Sequence, residues 1–260
     1  MRRRPPARGA DPLEALSPAA ICLATLIVAG AYVVYGLTGF GSTVLAMPLL
    51  AQVLPLRFAV PLMMLLDLAA FFLVGARFRR GIRYREAGWL VPFMLAGMAV
   101  GLTLLIEVDE QWLLAGLGAF VLAYAGYGLS RRGAPLRLAR GWSAPIGLAG
   151  GALSALFGTG GVLFAIYNSG RIRDKAELRA TNAAMIMLSS LVRVVLFGAT
   201  GLLSQDGLIT FALLLVPAML AGFYVGNRLH AAVPAAGVVR AVYALLVVSG
   251  LSLLARAAAG

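Results

Sequence analysis

One cysteine and one histidine in 260 residues leave almost nothing with which to hold a soft metal or build a redox centre. Cys22 has no second thiol for an intramolecular disulfide, and Cys22 with His230 falls short of the ligand count of a zinc or haem site. No metal and no cofactor is therefore expected. Charge is scarce as well: only 12% of residues are Asp, Glu, Lys or Arg, and only 10 of those are acidic against 22 basic. The resulting net charge of +12 sits in short connections rather than along a face, which argues against a nucleic-acid partner.

Apolar residues fill the space that charge leaves. They make up 61% of the chain, mean hydropathy is +0.92, and a soluble globular domain lies far from both values. The chain reads as an all-α, polytopic integral membrane protein, with the lipid bilayer as its first partner. Crossing a hydrocarbon core of roughly 30 Å takes about 20 apolar residues, and eight such regions can be drawn. They cover residues 19–54, 59–76, 87–106, 111–130, 143–169, 183–203, 207–226 and 236–255. Each is expected to be helix, because lipid offers no partner to an unpaired backbone N–H or C=O.

Two of these regions are interrupted. The first contains Gly36-Leu37-Thr38-Gly39-Phe40-Gly41-Ser42-Thr43, followed by Pro48. About 119 residues later comes Ala155-Leu156-Phe157-Gly158-Thr159-Gly160-Gly161-Val162, matching Gly39 to Gly158, Gly41 to Gly160 and Ser42 to Gly161. Hydroxyl-bearing glycine breaks at matching places in two halves mark transporters with a midplane site. This divides the chain into a basic tail (1–18) expected to be disordered, a first membrane repeat (19–130), a basic connection (131–142) and a second repeat (143–260). The apolar run after the tail is too long for a cleaved leader and continues into the glycine motif.

Basic loops set the expected orientation through the positive-inside rule. Arg77, Arg79, Arg80, Arg83 and Arg85 read as cytoplasmic, as do Arg131, Arg132, Arg137 and Arg140, and Arg171, Arg173, Lys175 and Arg179. Glu107, Asp109, Glu110 and Asp206 read as outside. Eight single crossings would put the clusters at 131–140 and 171–179 on opposite sides. A re-entrant turn at Gly158-Thr159-Gly160-Gly161 brings them together, and the same turn in the first half makes the halves inverted. The cost is that Arg2, Arg3, Arg4 and Arg8 then lie outside. Trp89, Trp112 and Trp142 fall near span ends, as an aromatic belt does.

The breaks carry the candidate site. Glycine lets the backbone leave helical geometry, and a half-helix starting at Ser42 or Gly161 turns unspent N–H groups and its positive dipole end toward the turn. Such an end favours a small anionic substrate. Thr38, Ser42, Thr43 and Thr159 add hydroxyl donors, while Gly39, Gly41, Gly158, Gly160 and Gly161 shape the turns. The alternative is that small residues merely allow close helix packing. Two ionisable residues lie at depth, Asp67 and Arg193, each in the third segment of its half. Arg193 is a candidate for the substrate anion and Asp67 for a coupling proton or ion, or the two form a structural pair. Asn168, Ser169, Thr181, Asn182, Ser189 and Ser190 form a polar edge beside the second break, better suited to caps and interhelical hydrogen bonds than to ligands.

The phrase Gly36-x-x-Gly39-x-Gly41-Ser42-Thr43-x-x-x-x-Pro48-Leu49-Leu50 resembles the signature of the TauE/SafE sulfite exporter family of membrane permeases. The likeness continues through Pro55-Leu56-Arg57-Phe58-Ala59, the basic loop Arg79 to Arg85, and Asp174 to Asn182. Two departures are Ser42-Thr43 where the family often continues in glycine, and Tyr167 where the second motif would match Pro48. The resemblance implies a multi-pass protein of the inner membrane that moves sulfite, thiosulfate or organosulfonates by alternating access, driven by an ion or proton gradient. A passive anion channel shares these features. An intramembrane hydrolase using Ser154 or another glycine-flanked serine with His230 is poorly suited, since His230 falls in a short Arg-flanked loop near a span end while Ser154 lies within an apolar run. A non-transporting membrane assembly factor is the remaining class.

Overall fold

The computed structural model describes residues 17–38, 41–74, 81–130, 138–229 and 235–259. Described residues form helices and turns, with no strand among them. In chain order the helices are α1 (Pro18–Thr38), α2 (Ser42–Leu50), α3 (Leu56–Val74), α4 (Tyr84–Glu107) and α5 (Glu110–Ser130). A 3₁₀ turn (Arg140–Trp142) leads into α6 (Ser143–Phe157), α7 (Gly161–Arg171), α8 (Lys175–Ala199), α9 (Leu208–Leu229) and α10 (Ala235–Ala259). Arg2, Arg3, Arg4, Arg8, Gly39, His230 and the loop 75–80 lie outside the described residues.

Among the described residues six helices are long and apolar enough to cross a bilayer: Pro18–Leu37, Tyr84–Glu107, Glu110–Ser130, Ala176–Ala199, Leu208–Leu229 and Ala241–Ala259. The interrupted regions are assembled from shorter pieces. At 1.5 Å per residue, α2, α6 and α7 reach roughly 14, 23 and 17 Å, too short to cross singly. One boundary differs clearly from the hydropathy reading, since α8 begins at Lys175 rather than near 183. Its first two turns are polar and therefore invisible to an apolar window. The Asp174 carboxylate starts the helix by accepting the Glu177 N–H at 2.8 Å.

Side-chain contacts show which helix ends adjoin. Glu86, near the start of α4, binds Arg171 at the end of α7 and Arg140 just before α6. The α6–α7 segment therefore enters and leaves at one end of the bundle, which also holds Arg83 and Glu177. At the opposite end Arg256 of α10 donates to the carbonyls of Ala51 and Gln52, just beyond α2. Gln205, before α9, donates to the Arg57 carbonyl there, and Gln111 to that of Ala257.

The most extensive helix contacts are α4 on α6, α9 on α1, and α10 on α5. In the first two, a helix of one half lies along the broken segment of the other, in matching fashion. Both seams depend on glycine for close approach. A methyl group at Gly151 would strike the Met94 carbonyl, and one at Gly226 the Val33 carbonyl. Neither neighbour is a movable side-chain tip. Gly151→Val is expected to destabilise the protein by about 1–3 kcal/mol or more through overpacking. Gly88→Val, where an added Cβ meets nothing within 4 Å, is expected to be silent. Thermal denaturation in detergent compares them, and equal melting temperatures would remove the seam from the account.

Trp89, Trp112 and Trp142 are exposed near helix starts. Leu213, Val195 and Val248 are exposed along the helix walls, as a lipid-facing surface requires. Among the described residues the buried polar set is small, and most of it lies around the second break and α8.

Candidate anion site at the glycine breaks

The second break is a left-handed turn. Gly158 has φ 72°, a region that costs other residues roughly 1–2 kcal/mol. Its N–H donates to the Ser154 carbonyl at 3.0 Å and the Thr159 N–H to the Leu153 carbonyl at 3.3 Å. This paired closure ends α6 cleanly. α7 then folds back against α6, with Gly160 so close to the Gly150 carbonyl and Ser154 Oγ that no Cβ fits. Ser154 is buried under this contact. At the first break Gly41, with φ 92°, precedes the first residue of α2. Its neighbour Gly39 and the Thr38 side chain lie outside the described residues.

The two breaks meet. A Cβ built on Gly158 would lie 2.7 Å from Thr43 Cγ2 and 3.1 Å from Arg193 Nη1. One spot therefore brings together α2 of the first half, the α6–α7 turn of the second, and α8.

Asp67 of α3 stands on the first-half side of this junction, and both oxygens of its carboxylate accept hydrogen bonds. Oδ1 accepts from the Tyr32 hydroxyl at 2.8 Å and from Ser42 Oγ at 3.1 Å. Oδ2 accepts from Thr43 Oγ1. The Ser42 and Thr43 hydroxyls, expected at the anion, here serve Asp67. Tyr32 was not legible as a partner, since a tyrosine in an apolar run looks like any core aromatic.

Arg193 is in the opposite condition. It is 2% exposed, and its Nη2 donates to Ser190 Oγ at 3.1 Å. Nε and Nη1 are buried with no hydrogen-bond acceptor. Arg193 and Asp67 feel each other's charge but are not joined by an ion pair within 4 Å. Nearby, Thr159 Oγ1 and Ser189 Oγ are also buried and unpartnered. A buried cation with no charged partner and two unmet donors costs several kcal/mol. An anion bound at the Gly158 side would offset much of that cost by accepting from Nη1, with Thr159 able to donate alongside.

The expected polar edge divides between these roles. The Asn168 amide donates to Asn182 Oδ1 at 2.7 Å, and Ser169 donates to the Ile166 carbonyl. Thr181 Oγ1 accepts the Arg83 backbone N–H at 3.0 Å. Beyond it the Arg83 guanidinium donates to Glu177 at 2.7 Å, and that carboxylate raises the Arg83 pKa above its ordinary value.

A family model described as sulfite exporter TauE/SafE matches residues 22–253. The probable inner membrane transporter protein TsaS of Comamonas testosteroni is 35% identical over 195 residues, covering 74% of this chain and 81% of that protein. No solved structure matches the chain.

Proposed function

Since the chain belongs to the sulfite exporter TauE/SafE family of membrane transporters, we propose that it is a secondary carrier of small sulfur-containing oxyanions such as sulfite, thiosulfate or an organosulfonate. It is a transporter and not an enzyme, and a multi-pass protein of the inner membrane. The binding site lies where the two glycine breaks meet. Arg193, 2% exposed with Nε and Nη1 uncommitted and Nη1 beside Gly158, is the observation that carries this reading. Thr159 and the start of α7 at Gly161 supply further donors beside the Nη1 of Arg193.

Two inverted halves account for the reciprocal packing of α4 on α6 and α9 on α1. Rocking of one half against the other then exposes the same site to each face in turn. The Arg-rich end is cytoplasmic by its charge.

Asp67 is the coupling group. As a carboxylate it only accepts, so three hydroxyls are held on it. Once protonated it must donate one hydrogen bond. Donation to Thr43 would free that hydroxyl for an anion held against Gly158 and Arg193, so proton and anion bind together.

Counterflow in proteoliposomes of the purified protein tests the reading, with labelled sulfite, thiosulfate, sulfate and a small sulfonate. Saturable exchange of at least one sulfur oxyanion is expected, with no matching current through the protein. Absence of exchange for all four would overturn the cargo assignment, and unsaturable conductive flux would make the protein a channel.

A further inference from the structure

Resting on the assignment of the anion to Arg193, we propose that the seam between α7 and α8 is the route connecting that site to the Arg-rich end, with Ile186 as its constriction. The two helices run antiparallel, and their contacts order the seam. Gly158 meets Arg193, Gly161 meets Ile186, and Asn168 meets Asn182. Residues 182, 186, 189 and 193 follow the spacing of a single helix face.

This face is unlike a packed apolar interface. Asn168 Oδ1, Ser189 Oγ and Thr159 Oγ1 are buried without partners, in addition to the Arg193 donors. Native interiors leave few such groups, and a run of them marks a path that water or a polar solute occupies. Ile186 interrupts the run. Its Cγ1 lies 3.0 Å from where a Cβ on Gly161 would stand, so the glycine lets the Ile186 side chain sit close against the start of α7.

At the α7–α8 connection, where the seam ends, lies a cavity of about 380 Å³ lined by Arg83, Glu86, Arg171, Arg173, Asp174 and Glu177. Arg171 Nε donates to Glu86 at 3.1 Å and Arg83 Nε to Glu177 at 2.7 Å. An arriving anion can exchange with either carboxylate on its arginine. The opposite end is closed differently: Arg57 donates to the carbonyls of Leu105, Ile106 and Val108, uncharged acceptors that present no such exchange.

The experiment uses single cysteines in a Cys22→Ser background, in right-side-out and inverted membrane vesicles, labelled with a membrane-impermeant charged maleimide. Asn182→Cys and Ser189→Cys are expected to react at least tenfold faster from the Arg-rich face than from the other. Ile186→Ala should speed the reaction at Ser189→Cys several-fold and Ile186→Trp should slow it. Arg173→Cys, exposed at the mouth, reports that the face is accessible. If Arg173→Cys reacts while Ser189→Cys is inert, or reacts only from the opposite face, the route is wrong. Thiosulfate is expected to slow labelling at Ser189→Cys. Sided labelling without that protection supports the route and counts against the anion at Arg193, so the two readings fail separately.

Discussion

Arg193→Met is expected to cut anion exchange roughly 30-fold or more in a protein that folds as well as the parent, because a charge-assisted contact made in a desolvated site is worth about 2–5 kcal/mol. Folding should survive. Met keeps most of the volume, and removing a buried cation that lacks acceptors on Nε and Nη1 relieves a desolvation cost rather than creating one. Among the described residues only the Ser190 hydroxyl loses a hydrogen-bond partner. Arg193→Lys should fall between the two, since it keeps the charge but offers a point donor in place of a fork. The competing role for Arg193, a structural counterion to Asp67, predicts a different pattern. Arg193→Met would then lower the melting temperature, and adding Asp67→Asn would restore both stability and exchange, as coupled residues do in a double-mutant cycle. Counterflow together with thermal denaturation of the two single variants and the double variant decides. Unimpaired exchange in Arg193→Met would end the assignment.

Much of this arrangement was legible in residues and spacing. Apolar length located the long helices, the paired glycine motifs located both interruptions, and the rarity of charge at depth singled out Asp67 and Arg193. The re-entrant reading came from charge, through the need to put Arg140 and Arg171 on one side. In the structure both bind Glu86. What escaped the sequence depends on side-chain direction at broken helices. The spacing of Ser42 and Thr43 after Gly41 does not say whether their hydroxyls meet a cavity or a neighbouring helix; the turn at Gly41 decides, and it turns them to Asp67. The start of α8 was missed for another reason, since Lys175 to Asn182 is polar helix beyond the reach of hydropathy. Glu86 passed unnoticed because a lone acid among loop arginines looks solvated, whereas it ties together the start of α4 and both ends of the second broken segment.

Asp67→Asn is expected to abolish accumulation of the anion against its gradient while leaving exchange largely intact. The reason lies in what each form of residue 67 can accept. The carboxylate holds Tyr32 and Ser42 on one oxygen and Thr43 on the other, and a neutral side chain must turn one of those contacts around. Asparagine reproduces the protonated state. Its carbonyl can keep Tyr32 and Ser42, while its amide donates to Thr43 and frees that hydroxyl toward the junction with Gly158 and Arg193. The anion should still bind, because Arg193 and the freed hydroxyl remain, so counterflow of labelled substrate continues. No proton is taken up or released at residue 67, however, so an imposed proton gradient can do no work. In proteoliposomes the internal anion should rise only to equilibrium, where the unaltered protein exceeds it many-fold. Thr43→Val separates this from simple loss of a contact: with no hydroxyl to hand over, it should weaken binding while some gradient-driven uptake persists. Gradient-driven accumulation by Asp67→Asn equal to that of the unaltered protein would place the coupling group elsewhere and leave Asp67 as an anchor for the hydroxyls of Tyr32, Ser42 and Thr43.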